Sequence, residues 1–370
     1  MNTLNENAKY IKEKHGFYRP ITFVGGGKLL CYKRNKLFLY DGSKMNFFRE
    51  FEIKGYRGIL SKTRFLTRIF HRYVFCGVYL PKEDIAFIAA NDGIYKVPFD
   101  GREIVRCFDF KYKDMHRPLS FFEIKGVKGF DDCIAFGEYC YNQDRNPISF
   151  YVYRQSISNW EKVYSFNDIR HIHSIIPDTY NDRVLVLTGD KDSECGVFEF
   201  KNNFSEVRTI SRGNQQLRFC CGKAYPDGVV LVTDSPFEQN YIYKLSSNDT
   251  FEKKHEIPGP TVFFTANNDN LYFATDVEND EKNLTPFKEF FINKKGDGVL
   301  DDYSHLFCYN PVKGAEEIAK FKKDFWPMRI FGFGTIHFPY GFSENDELYC
   351  YPMSVSNYDQ TLIKIRKNED

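Results

Sequence analysis

No run of 18 apolar residues occurs anywhere in the 370-residue chain, so no membrane-spanning helix is expected. Charge of one sign is equally scarce. The 51 basic and 50 acidic residues leave a net charge of +1, which excludes bulk electrostatic attraction to nucleic acid or to a membrane surface and leaves only local patches. The ten cysteines, Cys31, Cys76, Cys107, Cys133, Cys140, Cys195, Cys220, Cys221, Cys308 and Cys350, contain no CxxC pair and no metal-finger spacing. The opening segment MNTLNENAKYIKEKHG is polar and lacks the apolar core of a secretory signal. Scattered thiols without such a signal point to a reducing cytoplasm, where they stay free and behave as small hydrophobes. No G-x-S-x-G elbow, phosphate-binding loop or dinucleotide fingerprint is present.

What the chain does have is aromatic side chains and a repeat. Its 38 Phe and 25 Tyr suit pleated, half-buried strands. Five hydrophobic runs end in an acid: IAFIAAND at Asp92, CIAFGE at Glu138, VLVLTGD at Asp190, VVLVTD at Asp234 and LYFATD at Asp276. The intervals are 46, 52, 44 and 42 residues. A period in the forties built from short strands predicts an all-β fold, a seven-bladed β-propeller, with six blades as the alternative. Seven units can be drawn, in residues 18–53, 73–110, 118–166, 169–210, 216–257, 260–321 and 326–366, and together they read as one domain over residues 1–370.

Two segments interrupt the rhythm. RGILSKTRFLTRIFHR, residues 57–72, has apolar residues at helical spacing and a basic face. It reads as a short helix packed on the propeller, or, more sharply, as a peripheral contact for an acidic partner or a membrane surface. Residues 279–304 read as a loop insertion between the second and third strands of the sixth unit.

Chain direction makes the acids converge. Strands in a blade alternate up and down, so the end of the second strand and the start of the first share a face. Asp92, Glu138, Asp190, Asp234 and Asp276 end second strands; Arg170, His171 and Arg218 begin first strands. His173 lies two residues from His171 and points the same way. All should meet at one mouth of the channel. The bland reading is a structural ion-pair network. The sharper one is a site for a polar ligand, in which carboxylates accept from sugar hydroxyls and Arg170 and Arg218 hold an anionic group. The alternating His171 and His173 with Asp190 or Asp192 could also present metal ligands, but no metal is assigned and the cofactor is left open.

Residues 137–245 carry five denser patterns: GEY-x-x-N, RHIH-x-x-x-x-D-x-Y, TGD-x-D-x-E, G-x-Q-x-x-R and TDSP-x-x-x-NYIY. The residues concerned are Glu138, Tyr139, Asn142, Arg170, His171, His173, Asp178, Asp190, Asp192, Glu194, Gln216, Arg218, Asp234 and Asn240. In these the chain resembles uncharacterised bacterial propellers of the sialidase-like, Asp-box (BNR-repeat) superfamily, often associated with polysaccharide biosynthesis. The Asp-box itself is degraded to SISNW at residues 156–160.

The combined expectation is a carbohydrate-active protein, glycosidase-, lyase- or glycosyltransferase-like, working on a surface-polysaccharide glycan or a sugar-nucleotide-like precursor. Glu138, Asp190, Asp234, His171 and His173 are the catalytic candidates. Arg170, Arg218, Tyr139, Asn142, Asp192, Gln216, Asn240, Asp92 and Asp276 are the ligand-binding candidates. The alternative is a non-catalytic scaffold that binds a glycan or a partner protein on the same face.

Overall fold

The computed structural model describes residues 9–51, 63–70, 76–90, 92–110, 117–279 and 294–368. Seven small antiparallel sheets form a seven-bladed propeller. In six blades the chain order is the spatial order, as in blade four: His171–Asp178, Arg183–Gly189, Gly196–Lys201, Glu206–Arg212. The first strands neighbour one another around the ring and line the channel. Blade three has a broken first strand, Arg117–Pro118 and Phe122–Ile124, both paired with Cys133–Tyr139.

The core lies between blades rather than in one centre. A typical cluster joins Ile134, Phe136, Tyr151 and Trp160 of blade three to Val78, Ile85 and Phe87 of blade two. Others repeat the arrangement from blade to blade around the ring. Each fully buried Val, Leu, Ile or Phe contributes about 1.5–3 kcal/mol. Alternation along the strands therefore sends odd and even positions into two different interfaces. All ten cysteines are unbonded thiols, and most are buried.

Blade seven departs from the sequence reading. The unit drawn over residues 326–366 opens not on a strand but on the short helix Met328–Phe331. The blade is built from Thr335–His337, Leu348–Met353 and Ile363–Lys367, and its outermost strand is Tyr10–Lys14 from the other end of the chain. A ring needs its two ends joined, and pairing Tyr10↔Lys367 through Lys14↔Ile363 does this. In the 57–72 segment, Arg64–Phe70 is helical, and residues 57–62 and 71–72 lie outside the described residues. Of the 279–304 segment, residues 280–293 lie outside the described set, and Tyr303 and Ser304 already belong to the strand Tyr303–Asn310. No helix among the described residues is long and apolar enough to cross a membrane.

Ring closure by Tyr10–Lys14 has a measurable consequence. Removing residues 1–14 exposes one edge of Ile363–Lys367 and loses about five ladder hydrogen bonds, each contributing about 0.5–1.5 kcal/mol. The truncated protein should melt several degrees lower in calorimetry. An unchanged Tm would contradict the closure.

Candidate functional site at the channel mouth

The repeat that carries the acids is visible in the backbone. Gly189, Thr233 and Thr275 pair with the first residues of their inner strands, His171, Phe219 and Thr261, and the next residue is Asp190, Asp234 and Asp276. The amide N–H of Asp234 donates to the Arg218 carbonyl, and that of Asp276 to the Pro260 carbonyl, so these two sit in equivalent positions. The same inner strands carry a register shift beside the acids, at His173, Cys220 and Val262. A bulge of this kind re-aims a side chain, and here it turns His173 towards the carboxylates of blades four and five.

Asp190 is the hub. Its Oδ2 accepts from Arg170 Nη1 at 2.6 Å, and its Oδ1 from Arg218 Nη2 at 2.9 Å. His171 Nε2 lies 3.1 Å and His173 Nε2 3.3 Å from the same Oδ1, and the two Nε2 atoms are 3.0 Å apart. Behind them, His171 Nδ1 is 2.9 Å from the Cys140 carbonyl and His173 Nδ1 2.9 Å from the Phe219 carbonyl. Tyr139 stacks on the His171 ring with centroids 4.0 Å apart. Gly189 makes the room, since a Cβ there would lie 2.6 Å from His173 Cε1.

Asp234 Oδ2 is 3.3 Å from Arg218 Nη2 and 3.9 Å from His173 Nε2. Its Oδ1, Asp276 Oδ1 and Arg218 Nε are buried without a hydrogen-bond partner among the described residues. Asp190, Asp234 and Asp276 are only 7%, 3% and 1% exposed. Their environments differ sharply. Burial works to raise Asp190, but His171 and Arg218 hold it well below the usual carboxylate range. Burial pushes Asp234 up to about 6 against the pull of Arg218 and His173. Burial, followed by Glu278 and Asp234, drives Asp276 well above that range. Burial likewise pushes the Tyr139 phenol well up, helped by Asp190 and Asp234.

Several expected members are elsewhere. The Glu138 carboxylate accepts from the Ser149 N–H at 2.7 Å and lies 3.4 Å from the Tyr151 hydroxyl. It shares its strand face with Phe136, on the blade-two side, so the adjacent Tyr139 reaches the cluster instead. Asp92 stands two residues past Ala90, the position following the pair Cys76↔Ala89, and is bound by the Tyr95 hydroxyl and Arg106. It falls in the turn and points outward. Asn142 binds the backbone at Asn146 and Ile169, and Asn240 that at Ser235 and Gly298. Asp192 is exposed and accepts from Gln215. Gln216 faces Glu238 and Lys253. Arg170 and Arg218 are engaged by acids of the cluster itself, because buried carboxylates require them as counter-charges. Asp178, at the far end of its strand, pairs with Arg183, and Glu194 with Arg145.

Two contributors were not anticipated. Gln215 is buried and donates to the Asp190 carbonyl at 2.8 Å while its Oε1 accepts from Ser235. Counting G-x-Q-x-x-R from Gly213 lands on Gln215, so the spacing already contained it. Glu278 acts electrostatically on Asp276, Arg218 and Tyr139. It lies two residues past Asp276 on the same approach to the insertion, whose Gly296 N–H donates to the Glu278 carbonyl. A cavity of about 440 Å³ opens further along the channel, lined by Ile175, Gly222, Phe264 and Tyr340. It is distinct from the acid cluster.

No family model and no curated protein matches this sequence. Solved structures do match in shape. An oligogalacturonate lyase in complex with manganese aligns at a TM-score of 0.54 and 10% identity, over 97% of this chain and 91% of that one. The AfRom2 CNH domain aligns at 0.52 and 8% identity, over 97% and 100%. YCF48 bound to D1 peptide aligns at 0.52 and 8% identity, over 98% and 97%. These likenesses establish the propeller fold and nothing of activity.

Stability separates the acids. Asp190→Asn leaves Arg170 and Arg218 short of their counter-charge and should cost about 3–5 kcal/mol in urea unfolding. Asp276→Asn removes an under-satisfied carboxyl and should be neutral or stabilising by up to about 1 kcal/mol. Equal losses in both would contradict the assignment. Gly189→Ala should displace His173 and cost about 1–3 kcal/mol, read as a shift of the His173 ring signals in NMR together with a lower unfolding midpoint.

Proposed function

We propose that this protein is a carbohydrate-acting enzyme whose active site is the mouth of the channel at blades four to six. The observation that carries this reading is the pair of buried, unpartnered carboxylate oxygens on Asp234 and Asp276 beside the fully engaged Asp190. Each such atom costs about 1–3 kcal/mol, and these two lie beside each other at one mouth of the channel. Three carboxylates from successive blades, two imidazoles and a phenol come together there, a set that contains the acid and base groups used in general acid/base chemistry on a glycan.

In this reading Asp190 stays ionised and fixes His171 and His173. Asp234 and Asp276 exchange the proton with the substrate, and Tyr139 packs against the sugar. The reaction is glycosidase-, lyase- or glycosyltransferase-like, on a surface-polysaccharide glycan or its activated precursor. The pattern resemblance to sialidase-like propellers supports a sugar ligand, and the same fold serves an oligogalacturonate lyase. The ten unbonded thiols fit action in a reducing compartment. The near-complete burial of the acids favours a second reading: a non-catalytic propeller that binds a glycan or partner protein on this face and uses the cluster to hold blades four to six in register.

Turnover separates the two. Neutral and uronate-containing oligosaccharides and sugar nucleotides, incubated with the protein and followed by mass spectrometry, should show conversion by the wild type. Asp234→Asn and Asp276→Asn should lower it by at least about 100-fold while the fold is retained. Ligand binding without conversion, or conversion unaffected by both substitutions, would overturn the enzyme reading.

A further inference from the structure

We propose that His171, His173 and Asp190 form a binding site for one six-coordinate divalent transition-metal cation. The argument starts from the imidazoles. Both Nδ1 atoms lie 2.9 Å from backbone carbonyls, of Cys140 and Phe219. A carbonyl can only accept, so both Nδ1 atoms carry the proton. In the neutral rings both Nε2 atoms then present lone pairs, 3.0 Å apart, towards Asp190 Oδ1 at 3.1 and 3.3 Å. Three lone pairs converge on one point, which is repulsive unless a proton or a cation sits among them. Protonating both rings puts two N–H groups and two positive charges 3.0 Å apart in a buried site, which is costly. One shared proton satisfies at most one of the three contacts. A metal ion satisfies all three.

The spacing selects the kind of ion. Cis ligands about 2.1 Å from an octahedral centre lie about 3.0 Å from each other, whereas a tetrahedral ion at the same bond length spreads them to about 3.4 Å. Two of the observed edges, 3.0 and 3.1 Å, lie closer to the octahedral value, and the third, 3.3 Å, is the longer contact of His173. Two imidazoles and one carboxylate on one face leave three positions for water or substrate oxygens. The supporting contacts are those of a metal centre too. Each histidine is oriented by a carbonyl on its far nitrogen, and the carboxylate is held by Arg170 on Oδ2 and Arg218 on Oδ1. Charge agrees. Four carboxylates, Asp190, Asp234, Asp276 and Glu278, face two guanidiniums, Arg170 and Arg218. Carboxylates outnumber guanidiniums in this cluster, which favours a bound cation. A second donor set, His173, Cys220 and Asp234, shares one of these imidazoles, but the Cys220 thiol already donates to the Val262 carbonyl.

This inference rests on the geometry of the proposed active site but not on its substrate, and its test is independent of turnover. The purified full chain, stripped with chelator, is titrated with MnCl2 and ZnCl2 by calorimetry, and bound metal is counted by elemental analysis. Expected is one saturable Mn2+ per chain. Affinity should fall by more than the roughly 10–100-fold that a lost supporting contact costs in His171→Ala, His173→Ala and Asp190→Asn. It should stay within about threefold in Cys220→Ser, a change outside the ligand set. Pulsed EPR of the wild-type Mn2+ complex should show coupling to imidazole nitrogen, a readout that needs no variant to fold. Failure of both metals to saturate, bound Mn2+ without nitrogen coupling, or a Cys220→Ser loss equal to that of His171→Ala would overturn the proposal. Metal binding without turnover would leave it standing and remove only the enzyme reading.

Discussion

Burying a carboxylate at the mouth of the channel is the constraint on which the rest of this structure turns. Two guanidiniums are brought to Asp190 as counter-charges, and two imidazoles converge on the same carboxylate. Each of those groups in turn needs a feature of the fold: the bulge at His173, the missing side chain at Gly189, the carbonyls of Cys140 and Phe219, and the stacked ring of Tyr139. The supply runs out at the next two blades. Asp234 shares Arg218, and Asp276 has no guanidinium of its own among the described residues, so the same repeat position moves from saturated to under-satisfied over three blades. That gradient is the feature on which the proposed active site rests.

The architecture makes the gradient affordable. Packing is carried by the interfaces between blades, where alternate residues of every strand meet those of a neighbour. The acids at the channel mouth lie outside these apolar clusters, and the ring is closed through Tyr10–Lys14. The insertion reinforces one side, where Asn240 binds the Gly298 carbonyl and the Leu300 N–H donates to Pro258.

Much of this was legible in the sequence because a propeller repeats. The spacing of Asp190, Asp234 and Asp276 marks the same turn in three blades, and strand direction alone places Arg170, His171 and Arg218 beside them. The errors arose where local backbone departs from the repeat. Asp92 is displaced two residues into a turn, and Glu138 belongs to a blade whose inner strand is broken, so parity turns it to the other face. Gln216 missed by one residue for a similar reason: the short 3-10 turn Gln215–Leu217 decides which amide is buried. Blade seven was misread because its closing strand comes from the start of the chain, a pairing across the whole sequence that no local pattern announces. The convergence of two Nε2 atoms on one oxygen is a matter of tenths of an ångström and of the bulge at His173, and it has no sequence signal beyond the alternating histidines.

The central claim is that the mouth of blades four to six is built to hold something other than its own side chains. The most direct measurement is a crystal structure grown with MnCl2, with anomalous data collected at the manganese edge. The account expects one anomalous peak about equidistant from His171 Nε2, His173 Nε2 and Asp190 Oδ1, with Asp234 and Asp276 facing ordered solvent or ligand beyond it. No peak, with Asp234 and Asp276 fully paired to protein donors in a sealed channel, would contradict it and make the cluster a structural plug.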